Sequence, residues 1–273
     1  MTILVTGVTG LVGTRLLPRL VAEGHDCRAL VRGSRQVPGG VTAVEGDLED
    51  PASLARAVEG VSSIVHLAAM FRTRDDALIW KVNLDGTRHL IAAAKAHAPG
   101  ARFIMASTSN IYDRDTLHPG REDDAADPRQ AYPASKLAAE GVLRASGLNW
   151  SILRFGFVYG DGDGHLEALP KYLASDQAQF HPAGRMSLVH HRDIANAVNL
   201  ALGGALDGHV VNISDDAPTS YYELLRLVGE AMAPSSEPLA DPWHLHIDNT
   251  LARSLGFRPA VSTVHQAISN KLL

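Results

Sequence analysis

The stretch Met1-Thr2-Ile3-Leu4-Val5-Thr6-Gly7-Val8-Thr9-Gly10-Leu11-Val12-Gly13 decides how the chain folds. Ile3, Leu4 and Val5 form a short apolar run rich in β-branched residues, which predicts a buried strand. Gly7, Gly10 and Gly13 follow at three-residue spacing, and Leu11, Leu16, Leu17 and Leu20 then recur at helical spacing. Strand, glycine turn, helix is the start of a dinucleotide-binding βαβ unit. Glycine lets the backbone turn tightly and approach a pyrophosphate closely. The new helix aims its free N–H groups and positive dipole end at that anion. The spacing is G-x-x-G-x-x-G rather than G-x-G-x-x-G; its weight comes from its place between a strand and a helix. Gly7, Thr9, Gly10, Leu11, Val12 and Gly13 are the expected cofactor contacts of this turn.

Composition bounds the rest. The 273 residues are 45% hydrophobic and 20% charged, enough for a large core and against disorder. The net charge is -5 without a basic cluster, which argues against nucleic acid as a partner. A single cysteine, Cys27, excludes an internal disulfide and a cysteine-based zinc site. Met1 runs straight into the first strand and no apolar run reaches membrane-spanning length, so a cytoplasmic protein without a membrane partner is expected. The histidines at 190, 191, 244 and 246 lack a matching carboxylate pattern, and no metal is expected.

Cofactor choice is read at the end of the second strand, Cys27 to Val31. A carboxylate there would accept from a ribose 2′-hydroxyl. The chain instead has Arg32, with Ser34 and Arg35 beyond it. A guanidinium pairs with a 2′-phosphate in a fork, so NADP(H) is expected in preference to NAD(H), which stays possible. Asp47, after a third strand at Val41 to Val44, is placed to meet an adenine amino group. Ala68 and Ala69, after a strand at Ile64 to Leu67, permit close approach of a cofactor. A helix is predicted from Ala77 to His97, with Asn83 inside it as a weak helix former.

Ala101 to Met105 predicts another strand, which runs into Ser107-Thr108-Ser109-Asn110. Ligands of open α/β sheets sit at such carboxyl ends. Tyr132-Pro133-Ala134-Ser135-Lys136 opens the next helix, because proline is tolerated only in a first turn. Tyr132 and Lys136, four apart, share one face. A phenol has a pKa of about 10, and a neighbouring ammonium favours the phenolate and lowers it. A hydroxyl from another strand then holds a substrate oxygen while Tyr132 moves its proton.

These stretches together resemble the extended short-chain dehydrogenase/reductases, the NAD(P)-dependent epimerase/dehydratase family. The resemblance runs through Gly7 to Gly13, Gly46-Asp47-Leu48, His66-Leu67-Ala68-Ala69, Val82-Asn83, Ser107 to Tyr112 and Tyr132 to Lys136. It continues through Leu153-Arg154-Phe155-Gly156-Phe157-Val158-Tyr159-Gly160, Val189 to Ala195 and Leu255 to Pro259. It implies an α/β fold, a Rossmann-type doubly wound parallel sheet with a small C-terminal substrate-binding lobe. The sheet domain would cover 1–160 with contributions from 186–213, and the lobe mainly 161–273. By position, Thr108, Tyr132 and Lys136 would be catalytic. Leu48, Leu67, Asn83, Ser107, Phe155 and Val158 would join the cofactor contacts. Thr108, Ser109, Asn110, Tyr159 and His190 would face the substrate. Phe155 stands where the family usually has proline, and Asp113 where it has glycine.

The function expected is NADP(H)-dependent hydride transfer between a secondary alcohol and a ketone of a small metabolite. A sugar-nucleotide epimerase with tightly held NAD is the alternative within the family. A non-catalytic NADP-sensing regulator is the alternative outside enzymes, although such proteins generally lack the Tyr/Lys pair. The helices at Ala77 to His97 and after Tyr132 are where family members often dimerise, so a homodimer is expected on the resemblance alone.

Overall fold

Among the described residues the strands are, in chain order, β1 (Thr2–Thr6), β2 (Asp26–Val31), β3 (Val41–Glu45), β4 (Ser63–His66), β5 (Arg102–Thr108), β6 (Asn149–Phe155), β7 (Phe157–Tyr159), β8 (Arg185–Met186), β9 (Leu188–His190), β10 (Val210–Ile213) and β11 (Thr219–Ser220). The computed structural model describes residues 1–33, 35–112, 116–175 and 180–273. Seven strands form one sheet in the order β10-β6-β5-β4-β1-β2-β3, and every pairing in it is parallel. The order reverses between β1 and β4, which is where such a sheet leaves a crevice.

The helices are α1 (Gly13–Ala22), α2 (Pro51–Val58), α3 (Asp76–Trp80), α4 (Gly86–His97), α5 (Ala131–Arg144), α6 (Leu169–Ser175), α7 (His191–Leu202), α8 (Tyr221–Leu227), α9 (Thr250–Ser254) and α10 (Val264–Ser269). Side chains of a strand alternate between faces, and β1 shows the consequence. Ile3 and Val5 join a core with α1 and α7 residues such as Leu16 and Val198. Leu4 joins a second core with Leu54, Leu90 and Leu143 of α2, α4 and α5. A third, smaller core gathers Tyr159, Leu169, Met186, Leu224 and Val264 from the later part of the chain.

Differences from the expected elements have local causes. The helix from Ala77 to His97 is α3 and α4 joined by a π-turn at Lys81–Asp85. The widened turn carries Asn83, which is buried there. Helix α8 stops at Leu227, because Gly229 takes φ 82° and Glu230 N–H closes back on the Leu225 carbonyl. Strands β7, β8 and β9 and helix α6 are too short to be read from periodicity. Among the described residues, no helix is long and apolar enough to cross a membrane.

Candidate active site

The crevice floor is built from backbone. Gly7 has φ 70°, and a Cβ there would lie 2.6 Å from the Ala68 nitrogen; a Cβ at Gly13 would lie 2.2 Å from the Gly7 carbonyl oxygen. Neither position admits a side chain, so the turn after β1 sits flat against the turn after β4. Gly10 N–H closes the turn on the Gly7 carbonyl at 3.0 Å. His66 bolts the second turn down. Its ring meets Thr6 Oγ1 at 2.8 Å and Thr87 Oγ1 at 3.0 Å, and Thr6 Oγ1 accepts from Ala68 N–H at 3.2 Å. Burial, and then the Lys136 charge, push the His66 pKa down to about 3, so the ring is a neutral structural bridge.

Over this floor opens a cleft of about 790 Å³. Twelve of the sequence-predicted residues line it. Leu11, Val12, Leu67 and Ala69 come from the two turns, and Ser107, Thr108, Ser109 and Asn110 from the end of β5. Tyr132 and Lys136 come from α5, Phe155 from the end of β6 and Val158 from β7.

Other expected residues stand elsewhere. Thr9 is exposed on the glycine turn, and Arg32 and Arg35 are exposed beyond the end of β2. Ser34 lies outside the described residues. Asp47 Oδ1 accepts from Glu49 N–H at 3.0 Å, and the Leu48 side chain is buried in the core. Asn83 spends its amide on protein: Oδ1 accepts from Met70 N–H at 2.7 Å, and Nδ2 donates to the Met70 carbonyl and to Ser135 Oγ, each at 3.0 Å. Ser135 Oγ in turn donates to the Tyr132 carbonyl at 2.8 Å, so Asn83 ties the turn after β4 to the helix that carries Tyr132.

Tyr159 and His190, expected at the substrate, do not line the cleft. They pair in register across β7 and β9 and are fully buried. His190 Nδ1 accepts from Arg192 N–H at 3.1 Å as the cap of α7, and its Nε2 meets the Leu272 carbonyl at 2.9 Å. The alternation of two short strands turns both rings into the small core, away from the ligand side.

Two sets of buried contacts hold polar groups of the cleft, one at Thr108 and Tyr132 and one around Glu140. Thr108 hydrogen-bonds the Tyr132 phenol. Lys136, 2% exposed, has a pKa pushed down to about 8 by burial, with Glu140 opposing the shift. It is therefore still mostly cationic at neutral pH. Glu140, one turn further along α5, accepts from the Ser107 hydroxyl and from Arg154, whose Nε and Nη2 reach its two oxygens at 3.2 and 2.7 Å. Arg154 Nη1 also donates to the Tyr112 hydroxyl at 2.9 Å, which donates to Asn212 Oδ1 at 2.7 Å. Glu140 was not anticipated, yet it sits four residues after Lys136 and eight after Tyr132. The same helical face was its signal.

The phenol departs from expectation. Burial pushes the Tyr132 pKa up to about 12, and the opposing influence is the Thr108 hydrogen bond rather than Lys136. Phe71, half exposed, packs on the Tyr132 ring with centroids 4.4 Å apart and helps to dry it. No periodicity marks Phe71 in advance, since it lies in an irregular loop.

Residues 3–214 match the model of the NAD dependent epimerase/dehydratase family. A ceramide reductase of Caulobacter vibrioides is 32% identical over 199 residues, which span 70% of this chain and 57% of that one. A dTDP-4-dehydrorhamnose reductase of Mycobacterium tuberculosis is 25% identical over 286 residues, 98% of this chain and 85% of its own. A short-chain dehydrogenase/reductase superfamily protein of Agrobacterium tumefaciens, solved with bound NAD, superposes with a TM-score of 0.81 at 25% identity, covering 99% and 95% of the two chains. A UDP-glucose 4-epimerase of Thermus thermophilus, solved with NAD, gives 0.75 at 26% identity over 96% and 95%.

Proposed function

Because the chain belongs to the NAD-dependent epimerase/dehydratase family and is an NAD(P)-dependent oxidoreductase, we propose that it transfers hydride between NADP(H) and a secondary alcohol or ketone of a small metabolite. The observation that carries this reading is the meeting of Thr108, Tyr132 and Lys136 in one cleft above a floor with no room for side chains. The residues present fit a dinucleotide. Backbone N–H groups at Leu11 and Val12, at the start of α1, would hold the pyrophosphate. Lys136 would hold the nicotinamide ribose, and Asp47 the adenine. Arg32 and Arg35 would take a 2′-phosphate, a guanidinium being suited to that anion and a carboxylate not. The sheet domain, residues 1–160 with 186–213, is assigned to the cofactor, and 161–273 mainly to the substrate.

When bound, the nicotinamide supplies or accepts the hydride. Thr108 donates a hydrogen bond that orients the substrate oxygen. In reduction the C=O π bond opens, the carbon gains a C–H bond with the hydride's electron pair, and the oxygen takes the proton from Tyr132 Oη. In oxidation the same groups run backwards. Burial, which holds the phenol up at about 12, keeps its proton ready for reduction, whereas oxidation needs the phenolate and so a lower pKa. The Thr108 hydrogen bond does part of that, and the Lys136 ammonium, on the same helical face, is assigned the rest. Phe71 and the other rings of the cleft keep water from the proton.

Replacing Tyr132 with Phe removes the proton donor and leaves the shape. Turnover by NADPH oxidation should fall about 10²–10⁴-fold, with NADPH affinity by fluorescence titration unchanged; undiminished turnover would refute the assignment. A homodimer through α4 and α5 is the expected assembly, and a monomeric mass at micromolar concentration would contradict it. An NAD-dependent epimerase is the second reading, favoured by the likeness to the NAD-bound UDP-glucose 4-epimerase. Purified protein that carries NAD without being given it would support the epimerase.

A further inference from the structure

The half of the cleft away from the glycine floor is walled by rings. Phe71, Phe157, Tyr172, Phe180 and Tyr221 line it, from loops and short elements far apart in the chain. Phe157 stacks on His165 with centroids 4.4 Å apart and planes 17° apart, and Phe180 meets Tyr221 edge-on at 5.0 Å. Leu169, Leu173, Met186 and Leu245 fill the spaces between.

Charge is scarce there. Among the described lining residues there is no carboxylate, and Arg72 is the one cation besides Lys136. The Arg72 guanidinium lies over the Tyr172 ring at 5.3 Å. His165 donates Nδ1–H to the Val158 carbonyl at 2.8 Å, and burial pushes its pKa down, so at neutral pH it lends no charge to an anion. Two desolvated phosphates need several charge-assisted partners. One arginine on a ring does not provide them. A flat apolar body, in contrast, finds faces and edges to pack on from several sides.

We propose that the substrate is a ketone or alcohol on an apolar, ring-bearing body without phosphate, seated between Phe71 and Phe157 with its oxygen at Thr108 and Tyr132. The placing of the oxygen rests on the hydride-transfer reading above; the ring cage stands on its own lining.

Calorimetric titration of the full chain, with and without saturating NADP+, compares tetralone and phenylcyclohexanone with UDP-glucose. Each ring ketone should bind about tenfold more tightly than UDP-glucose, or better still. Phe71 is 50% exposed, so Phe71→Ala should weaken the ketones roughly tenfold with thermal unfolding unchanged. Phe157→Ala is the second variant, from a separate segment of the same lining. Tighter binding of UDP-glucose overturns the assignment, as does ketone binding indifferent to both variants. NADPH oxidation is scored separately. Ring ketones bound at the Phe71-sensitive site but never reduced uphold the cage and sink hydride transfer. Sugar nucleotides reduced while ring ketones fail to bind sink the cage alone.

Discussion

The two halves of the cleft are made in different ways. The floor comes from the carboxyl ends of β1, β4, β5 and β6, neighbours in one parallel sheet, and its shape is set by backbone contacts such as Gly13 against Gly7. The opposite wall comes from the loop at Phe71 and from elements between Phe157 and Leu245, tied to one another by two-stranded pairs and by single backbone bonds such as Phe157 N–H to the Ser187 carbonyl and Ser187 N–H to the Leu245 carbonyl. The floor follows rules of chain geometry that hold for any sheet of this kind, whereas the wall depends on which rings meet. On the reading proposed above, the first half holds the cofactor and the second selects the substrate.

Tyr132 stands at the seam, and its loss should give the largest effect. Tyr132→Phe is expected to lower kcat about 10²–10⁴-fold while the affinities measured for floor and wall both hold. If either affinity fell in step with kcat, the halves would not be separable. Next comes Glu140→Ala. It leaves the Arg154 guanidinium, 3% exposed, without its carboxylate and Ser107 without its acceptor. Breaking a buried pair by one partner costs about 3–5 kcal/mol, read as a lower midpoint in urea unfolding. A neutral result would mean that the floor does not depend on its buried network.

Arg32→Ala tests the floor at its far end. The KM for NADPH should rise roughly tenfold or more, with KM for NADH and the affinity for ring ketones unchanged. Equal effects on both cofactors would remove the 2′-phosphate contact.

The smallest effect belongs to Asp215, beyond the end of β10. Burial, with Asp216 and Asp193 nearby, pushes its carboxyl up to about 8, and its Oδ2 has no partner. The folded state thus holds a proton that the unfolded chain, with a pKa of about 3.9, gives up. Stability from this group is full below about pH 4 and is lost as pH rises toward 8. Asp215→Asn should raise Tm at pH 8 by about 2–4 °C for each kcal/mol recovered and leave it unchanged near pH 4. A variant that melts lower at pH 8 would contradict the sign.

What could be read from sequence divides along the same line. Glycine spacing and a Tyr-x-x-x-Lys on a proline-started helix are local patterns, and Thr108, Tyr132 and Lys136 do share the cleft. Asn83 was legible as an oddity in a helix, and its π-turn and amide contacts supply the reason. The burial of Tyr159 and His190 away from the cleft is not legible, because three-residue strands give no alternation long enough to fix a face. Phe71 and Phe180 carry no signal at all, because a ring in a loop becomes a wall only after distant segments pack.

Hydride delivery beside Tyr132 is read most directly with NADPH deuterated at nicotinamide C4 and whichever ketone of the panel turns over. Mass spectrometry of the product should find a single deuterium at the carbinol carbon, formed at a rate that Tyr132→Phe lowers by about 10²-fold or more. Solvent hydrogen at that carbon, or label transferred as fast by the variant, would contradict it.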